Sequence, residues 1–344
     1  MSEPRIPSTP PLIPPVSGPV ERPLWSVMIP SYNCSNYLRH ALVSVLEQDP
    51  GPDKMQIEVV DDCSTDTDVE ALVASIGKGR VGYYRQEQNM GSLRNFETCL
   101  KRSRGHWVHL LHGDDLVSPG FYQEIGELFT QYPEAGAAFT GFLTIDANGK
   151  TLYPNNTLAQ EPGFIRGWMT LIAQSQQIQP PAIVVKREVY EQVGGFFAMH
   201  YGEDWEMWVR ISSQFPVVHS PRQLAQYRVH DSNITSRYFI SGQNIHDITR
   251  AIDIIQDYLP AGERKKLKRL AKRNFSRYFA RTSDMVYHGY NKPHQALRQA
   301  KDALRLHVNR ITLYFVLKIY LKLLIRYKLT RQMQAPFFLK KVSS

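Results

Sequence analysis

Two short strand-like runs in this chain each end in a pair of aspartates. Met55-Gln56-Ile57-Glu58-Val59-Val60 stops at Asp61-Asp62-Cys63-Ser64, and His106-Trp107-Val108-His109-Leu110-Leu111 stops at His112-Gly113-Asp114-Asp115. Apolar runs of this length, bounded by turn residues, read as strands buried on both faces. Helical patterns alternate with them. Leu38, Ala41, Leu42, Val45 and Leu46 form one stripe behind Ser35 or Asn36 as cap. Val69, Leu72, Val73 and Ile76 follow an Asp66-Thr67-Asp68 cap, and Leu93, Phe96, Cys99 and Leu100 follow Asn89-Met90-Gly91-Ser92. Residues 25–30 and 81–85 add two more strands, with Pro30 ending the first because proline donates no ladder hydrogen bond. This alternation predicts right-handed crossovers and a mainly parallel, doubly wound α/β sheet.

In an open sheet of that kind, ligands bind beyond the carboxyl ends of the strands, where both aspartate pairs lie. Taken singly, each pair reads as turn chemistry or an acidic helix start. Two pairs at equivalent strand ends point instead to a nucleotide cradle. Adjacent carboxylates repel unless a cation or donors lie between them, and a divalent metal carrying a phosphorylated ligand is a suitable hard cation.

Further along, a hairpin is expected over 137–145 and 151–153 around Asp146-Ala147-Asn148-Gly149. A strand at 181–186 precedes a helix at 187–193 capped by Gly194-Gly195. A third acidic pair, Glu203-Asp204, sits beside Trp205 and Trp208, where partial desolvation would raise a carboxylate's pKa toward a value useful for taking a proton. Tyr227-Arg228-Val229-His230 closes an apparent edge strand, and His230 beside Arg228 weighs a diphosphate-facing role evenly against a structural one. Gly77-Lys78-Gly79-Arg80-Val81-Gly82 fits G-x-G-x-x-G, but it follows a helix and opens a strand. The dinucleotide fingerprint needs the reverse order, so this is a helix-end turn.

Three cysteines without a CxxC pair exclude a disulfide framework and a zinc knuckle, and imply a reducing compartment. Residues 1–23 hold eight prolines and no periodic pattern, which predicts a disordered or polyproline-like leader. Charge is uneven. Residues 261–344 carry 21 Lys and Arg against 3 Asp and Glu, a net +18, while residues 1–260 are net −9.

Six segments in order resemble the family 2 nucleotide-sugar glycosyltransferases of the bacterial surface-polysaccharide type. They are Ser26-Val27-Met28-Ile29-Pro30-Ser31-Tyr32-Asn33, Val59-Val60-Asp61-Asp62-Cys63-Ser64-Thr65-Asp66, Asn89-Met90-Gly91-Ser92-Leu93-Arg94-Asn95, Leu111-His112-Gly113-Asp114-Asp115, Gly194-Gly195-Phe196 with Gly202-Glu203-Asp204, and Tyr227-Arg228-Val229-His230. The resemblance covers about residues 24–235. It implies a GT-A fold over 24–240, followed by a basic helical region at 241–344, and transfer with inversion from a nucleotide-activated sugar, by family habit a UDP-sugar. By the same resemblance Pro30 and Tyr32 line the base pocket and Asp62 accepts from the base N–H. Asp114 lies near the ribose, and Asp115 with Asp114 holds Mn²⁺ or Mg²⁺ on the diphosphate. Arg94 helps hold that region, His230 approaches the diphosphate, and Asp204 is the general base. The family often carries aspartate at the position of His112 and glycine at that of Cys63. The first departure changes the metal-ligand set. A catalytically inactive nucleotide-sugar binding module is the alternative.

The most apolar stretch is residues 311–329, too short in its uninterrupted runs to span a bilayer. Lys318, Lys322 and Arg326 form a cationic stripe, with Leu313, Val316, Leu317, Tyr320, Leu321 and Leu324 opposite. The pattern predicts an in-plane helix on an anionic membrane, against a bundle helix whose cationic face is solvated. The expected partners are therefore a nucleotide-sugar donor, a glycan or lipid-linked glycan acceptor and an anionic membrane surface through 261–344. The expected location is cytoplasmic, peripheral on the inner face of the plasma membrane. Nucleic acid is not expected, because the tail lacks interleaved aromatic platforms.

Overall fold

In the computed structural model, which describes residues 4–17, 21–230 and 234–325, strand β1 (Trp25–Ser31) is buried at every position. β2 (Met55–Asp61) pairs with it in parallel, and β3 (Gly82–Arg85) pairs in parallel with β2. The crossovers are α1 (Ser35–Leu46), α2 (Val69–Gly77) and α3 (Ser92–Arg102). β4 (Trp107–Leu110) then pairs in parallel with the other side of β1. β1 runs through Pro30 rather than stopping there, with Pro30 opposite Val60. β4 has ended by that level, so no ladder partner faces the proline's missing donor, and the turn amide of Gly113 donates to its carbonyl at 3.1 Å.

The rest of the sheet is mixed. β5 (Leu116–Val117) precedes α4 (Phe121–Gln131). The expected hairpin is β6 (Ala137–Ile145) and β7 (Thr151–Pro154). β8 (Gly163–Phe164), α5 (Trp168–Gln174), β9 (Ile183–Lys186), α6 (Arg187–Val193), α7 (Glu203–Ser212) and β10 (Val217–Arg228) follow. The strand order is β3-β2-β1-β4-β9-β6-β10-β5. β9 runs antiparallel to β4 and β6, so the sheet is mixed: β1 to β4 form one parallel block, and β6 with β10 forms a second parallel pair beyond β9. Connections between 137 and 186 are hairpin turns, loops, one short α-helix and a 3₁₀ turn at Pro180–Ala182, too little for repeated parallel crossovers. β10 is not an edge strand: it lies between β6 and β5.

The chain divides into two compact units. The first is Met1–Trp168, Ile178–His200 and Arg210–Arg228, and it contains the whole sheet. The leader belongs to it and, over residues 4–17, is not disordered. Prolines lack amide donors but keep their carbonyls. Pro7, Pro11 and Pro14 accept from the Ala198 amide (2.9 Å), the Gly195 amide (2.8 Å) and Arg187 Nη2 (2.9 Å). Ile13, within this leader, is buried. Gly194, at φ +79°, lies so close that a Cβ there would meet Pro10 and Pro11 at 2.9 Å.

The second unit is Met169–Gln177, Tyr201–Val209 and Val229–Ser344, of which residues 231–233 and 326–344 lie outside the description. It holds α8 (Ile234–Ser241), α9 (Gln243–Ile254), α10 (Arg264–His288), α11 (Pro293–Leu306) and α12 (Arg310–Leu324). The expected boundary at residue 240 is thus replaced by an interleaved one. Trp205 explains why: its ring packs 4.6 Å from Phe275, and its indole N–H donates to the Ile172 carbonyl at 2.7 Å. α12 starts with a capping box between Asn309 and Thr312. Its lysine stripe is not the solvated face expected of a bundle helix. Lys318 and Lys322 both bond the Asp284 carboxylate on α10, which holds that carboxyl below its ordinary pKa. Leu313, Tyr314, Leu317, Tyr320, Leu321 and Leu324 face outward instead. Arg326, the third member of the stripe, lies outside the described residues.

Candidate active site

The carboxyl end of β1 separates the two aspartate pairs and is bonded to both. The Asp62 amide donates to the Ser31 carbonyl at 2.9 Å, and the Gly113 amide to that of Pro30 at 3.1 Å. Asp61 and Asp62 then diverge. Asp61 is buried and takes Arg85, Tyr83 and the Ser64 hydroxyl and amide, so it braces the turn. Asp62 accepts from the Met90 amide (2.6 Å), the Gly91 amide (2.8 Å) and Asn89 Nδ2 (2.9 Å). A carboxylate has about four lone-pair sites, so one acceptor position remains. Burial raises the Asp62 pKa, against the two amides and the Arg5 charge, which pull it down. Cys63 between them adopts φ +62°, the left-handed region in which glycine is unstrained.

On the other side of β1, the turn His112–Asp115 closes through the Asp115 amide donating to the His112 carbonyl at 3.0 Å. Gly113 permits it: a Cβ would meet Cys34 Sγ at 2.9 Å and the Pro30 carbonyl at 3.2 Å. Asp115 is 1% exposed. Its Oδ1 accepts the Arg228 amide at 2.8 Å, while its Oδ2 is buried without a hydrogen-bond partner among the described residues. Burial and the Asp114 charge push its pKa well up. Such an oxygen is costly to bury unless a donor or cation meets it. One ligand atom each from His112, Asp114 and Asp115 lie within 4.8 Å of one another. Two carboxylates and an imidazole fit a divalent cation. Burial lowers the His112 pKa, so the ring is neutral near pH 7 and keeps a lone pair. The ring stacks on Phe96 at 5.0 Å.

Arg228 does not reach outward as a diphosphate-facing residue. It is buried, and its guanidinium donates to the carbonyls of Asp114 (2.8 Å), Asp146 and Ala147 (3.1 Å each) while covering Tyr37 at 4.9 Å. It locks the hairpin turn to the aspartate turn. Arg94 donates to Glu97 at 2.6 Å and to the Pro4 carbonyl at 3.0 Å, so the leader holds it. Tyr32 is exposed beyond the end of β1, and Pro30 is buried within it.

Asp204 and His230 belong to the second unit. Asp204 accepts from Gln176 Nε2 and from the Trp205 amide at 2.7 Å. Burial outweighs both bonds and raises its pKa to about 6. Glu203 is pushed well up by burial and by the Asp204 charge. His230 is partly exposed, directly after the last residue of β10.

Residues 26–194 match the description Glycosyl transferase family 2, a span holding Pro30, Tyr32, Asp62, Arg94, Asp114 and Asp115. This chain carries a family 2 glycosyltransferase domain. An uncharacterized protein of Mycobacterium tuberculosis is 28% identical over 246 residues, 67% of this chain and 75% of that one. The putative teichuronic acid biosynthesis glycosyltransferase TuaG of Bacillus subtilis is 25% identical over 67% of this chain and 89% of its own length. Among solved structures, S. aureus TarS 1–349 in complex with UDP-GlcNAc aligns over 88% of this chain and 91% of its own at TM-score 0.61 and 14% identity. The mannosyltransferase PcManGT of Pyrobaculum calidifontis, in complex with GDP-Man and Mn²⁺, aligns over 92% and 84% at TM-score 0.54 and 16% identity. At those identities the likeness establishes the GT-A fold of this glycosyltransferase domain.

Three supporting residues escaped sequence reasoning. Asn89, in the turn that leads into α3, holds Asp62. Gln176 lies in a stretch with no periodic signal. Arg5 sits in the leader, where it donates to the Asn89 carbonyl at 2.8 Å.

Proposed function

We propose that this chain transfers a sugar from a nucleoside-diphosphate sugar to an acceptor hydroxyl, with inversion at the sugar carbon. The observation that carries the proposal is the buried Asp115 oxygen without a hydrogen-bond partner among the described residues, beside Asp114 and His112 at the carboxyl edge of a GT-A sheet. In this reading Pro30 and Tyr32 line the base pocket and the remaining lone pair of Asp62 accepts the base N–H. Asp114 serves the ribose and, with Asp115, a divalent ion. Arg94 steadies the Asn89–Gly91 loop, and His230 approaches the diphosphate. Mn²⁺ or Mg²⁺ there would stabilise charge developing on the leaving phosphate as a Lewis acid. Asp204 takes the acceptor's hydroxyl proton as the new carbon–oxygen bond forms and the bond to the diphosphate breaks. Its pKa of about 6 leaves it ionised at pH 7 yet basic enough for the task. One such carboxylate suffices, because a nucleoside diphosphate leaves without protonation.

UDP-GlcNAc in the TarS complex and family habit favour a UDP-sugar. The teichuronic acid role in the name of TuaG favours a cell-surface glycan or lipid-linked acceptor. The outward apolar face of α12 and the +18 tail fit a peripheral location on the inner, anionic face of the plasma membrane. No described helix is long and apolar enough to cross a membrane. The test is a screen of nucleotide sugars for metal-dependent thermal stabilisation. A donor at one hundred times its Kd stabilises by about 2.7 kcal/mol. Absence of a shift with every UDP-, GDP- and dTDP-sugar tested would refute the proposal.

A further inference from the structure

We propose that Arg273, Arg277 and Arg281 on α10 form a binding site for phosphate esters, and that the ester is carried by the acceptor. The second half rests on Asp204 as the general base; the first stands without it. α10 holds nine Lys and Arg against one acid, Asp284. Several of these charges have an ordinary account. Lys265, Lys266 and Arg269 are exposed, Lys268 pairs with Asp253 at 2.8 Å, and Arg264 donates to the Leu259 carbonyl at 2.9 Å. The three arginines differ. They recur at four-residue steps, so they share one line along the helix, about 12 Å from first to last. All three are half-buried, and none has a hydrogen bond or ion pair among the described residues. The Nε atoms of Arg273 and Arg277 are fully buried. Burial, then the charges of Arg273 and Arg281, lower the Arg277 pKa, so the three act on one another. Asp284 is no counterion for them, because Lys318 and Lys322 both hold it.

Like charges at this spacing repel, and buried donors without acceptors are costly, so the row destabilises the unliganded chain. An anion removes both penalties at once. Arginine forks match phosphate oxygens bidentately, and three on one line can serve more than one phosphate, as in a diphosphate or a diester chain. The neighbours of the row point to the acceptor. Asn274, next to Arg273, donates to the Gln174 carbonyl at 3.2 Å, and Phe275 packs on Trp205. Gln176 and the Trp205 amide are the two donors that hold Asp204. The turn of α10 that carries Arg273 and Arg277 thus abuts the residues flanking the proposed base, all within the second unit. A phosphate held there would tether the molecule whose hydroxyl Asp204 deprotonates.

The test uses the full chain in EDTA, so that no metal-bound phosphate contributes. Inorganic tripolyphosphate is the soluble probe, followed by calorimetry. Vesicles of phosphatidylcholine with phosphatidic acid are the lipid-borne probe, followed by co-sedimentation. Arg277→Gln is expected to weaken at least one of the two by at least about tenfold. Arg277→Lys, which keeps the charge and loses the fork, falls between it and the wild type. Lys265→Gln removes the same charge from the exposed part of the same helix and leaves binding nearly unchanged. Arg277→Gln melts no lower than the wild type, because it removes repulsion and a buried donor; a structural arginine would give the opposite. A loss confined to tripolyphosphate assigns the site to a soluble phosphate-bearing chain, and a loss with vesicles assigns it to a lipid-borne phosphate. No loss with either probe, or equal losses in Arg277→Gln and Lys265→Gln, overturns the proposal. UDP binding with Mn²⁺, measured separately by thermal shift, stays unchanged in Arg277→Gln; a weakened shift would give the row to the donor and overturn the acceptor assignment. Full turnover in Asp204→Asn would remove that assignment and leave the phosphate site standing.

Discussion

Asp204→Asn separates the proton-transfer role from stability in one variant. The carboxyl has a pKa of about 6 in the folded chain against an ordinary 3.8. Each pKa unit corresponds to about 1.4 kcal/mol, so the ionised form destabilises the fold by about 3 kcal/mol at most. Partial exposure of the residue reduces that to about 2 kcal/mol. The sign follows from proton counting. Between pH 3.8 and about 6 the folded chain binds more protons than the unfolded one, so stability falls as pH rises through that window. Asparagine never ionises and escapes the fall. It also has only one acceptor oxygen for the two donors, Gln176 Nε2 and the Trp205 amide, and losing one bond costs about 1 kcal/mol. The variant should therefore be more stable than the wild type by about 1 kcal/mol at pH 8 and no more stable at pH 4. Glu203 adds to the gain, because its pKa is raised in part by the Asp204 charge. Denaturant melts at pH 4, 6 and 8 measure this. Turnover should drop by about 10²–10⁴ with donor binding kept, and the wild-type rate should rise with pH through about 6. A stability difference that is flat across pH, or full turnover in the variant, refutes the reasoning.

Arg228→Ala strips donors from three carbonyls and should cost about 2–4 kcal/mol in denaturant melts while weakening Mn²⁺ binding, because it frees the turn that carries Asp114. Arg5→Ala removes an exposed side chain, so stability should change by less than about 1 kcal/mol. KM for the donor should rise several-fold with kcat unchanged, because the guanidinium both holds Asn89 and biases Asp62 toward its ionised form. Leu317→Glu with Leu321→Glu should abolish co-sedimentation with anionic vesicles and leave the melting temperature alone, since both leucines are exposed and each contributes about 1.5–3 kcal/mol if buried in lipid. Cys63→Gly should raise stability by up to about 1 kcal/mol by relieving the left-handed backbone at φ +62°, read from the denaturation midpoint.

The sheet half of the fold was legible because its signals are local. Asp68 caps α2 through the Ala71 amide at 2.9 Å, and Lys78 at φ +47° ends it, as the turn reading of 77–82 requires. The hairpin at Asp146–Gly149 was equally plain. α1 was harder: its cap is Cys34, without a side-chain bond, and the Ser35 amide donates to Asp66 at 3.0 Å, thirty-one residues away. The leader failed for a related reason. Low periodicity predicts disorder only when a segment has nothing to bond, and the proline carbonyls found amides of residues 195 and 198 that no local window contains. The lysine stripe of α12 is legible as a stripe, but neither the membrane reading nor the solvated alternative supplies its partner, because Asp284 lies thirty-four residues before Lys318.

The same contrast between local and distant partners explains why Asp62 and Asp115, alike as letters, differ as groups. Asp62 is followed by a loop whose amides bend back onto it, so three donors surround its oxygens and it can remain a carboxylate with one acceptor site to offer. Asp115 receives one amide, from a strand over a hundred residues away, and nothing for its second oxygen among the described residues. Burial without donors must be offset by protonation or by a cation. Protonation would neutralise that carboxyl alone. A cation satisfies both carboxylates at once, and within 4.8 Å the third donor it would meet is an imidazole rather than a carboxylate. The order of the two pairs along the sheet therefore carries their division of labour: the donor-rich pair suits an uncharged N–H, and the donor-poor pair suits a metal.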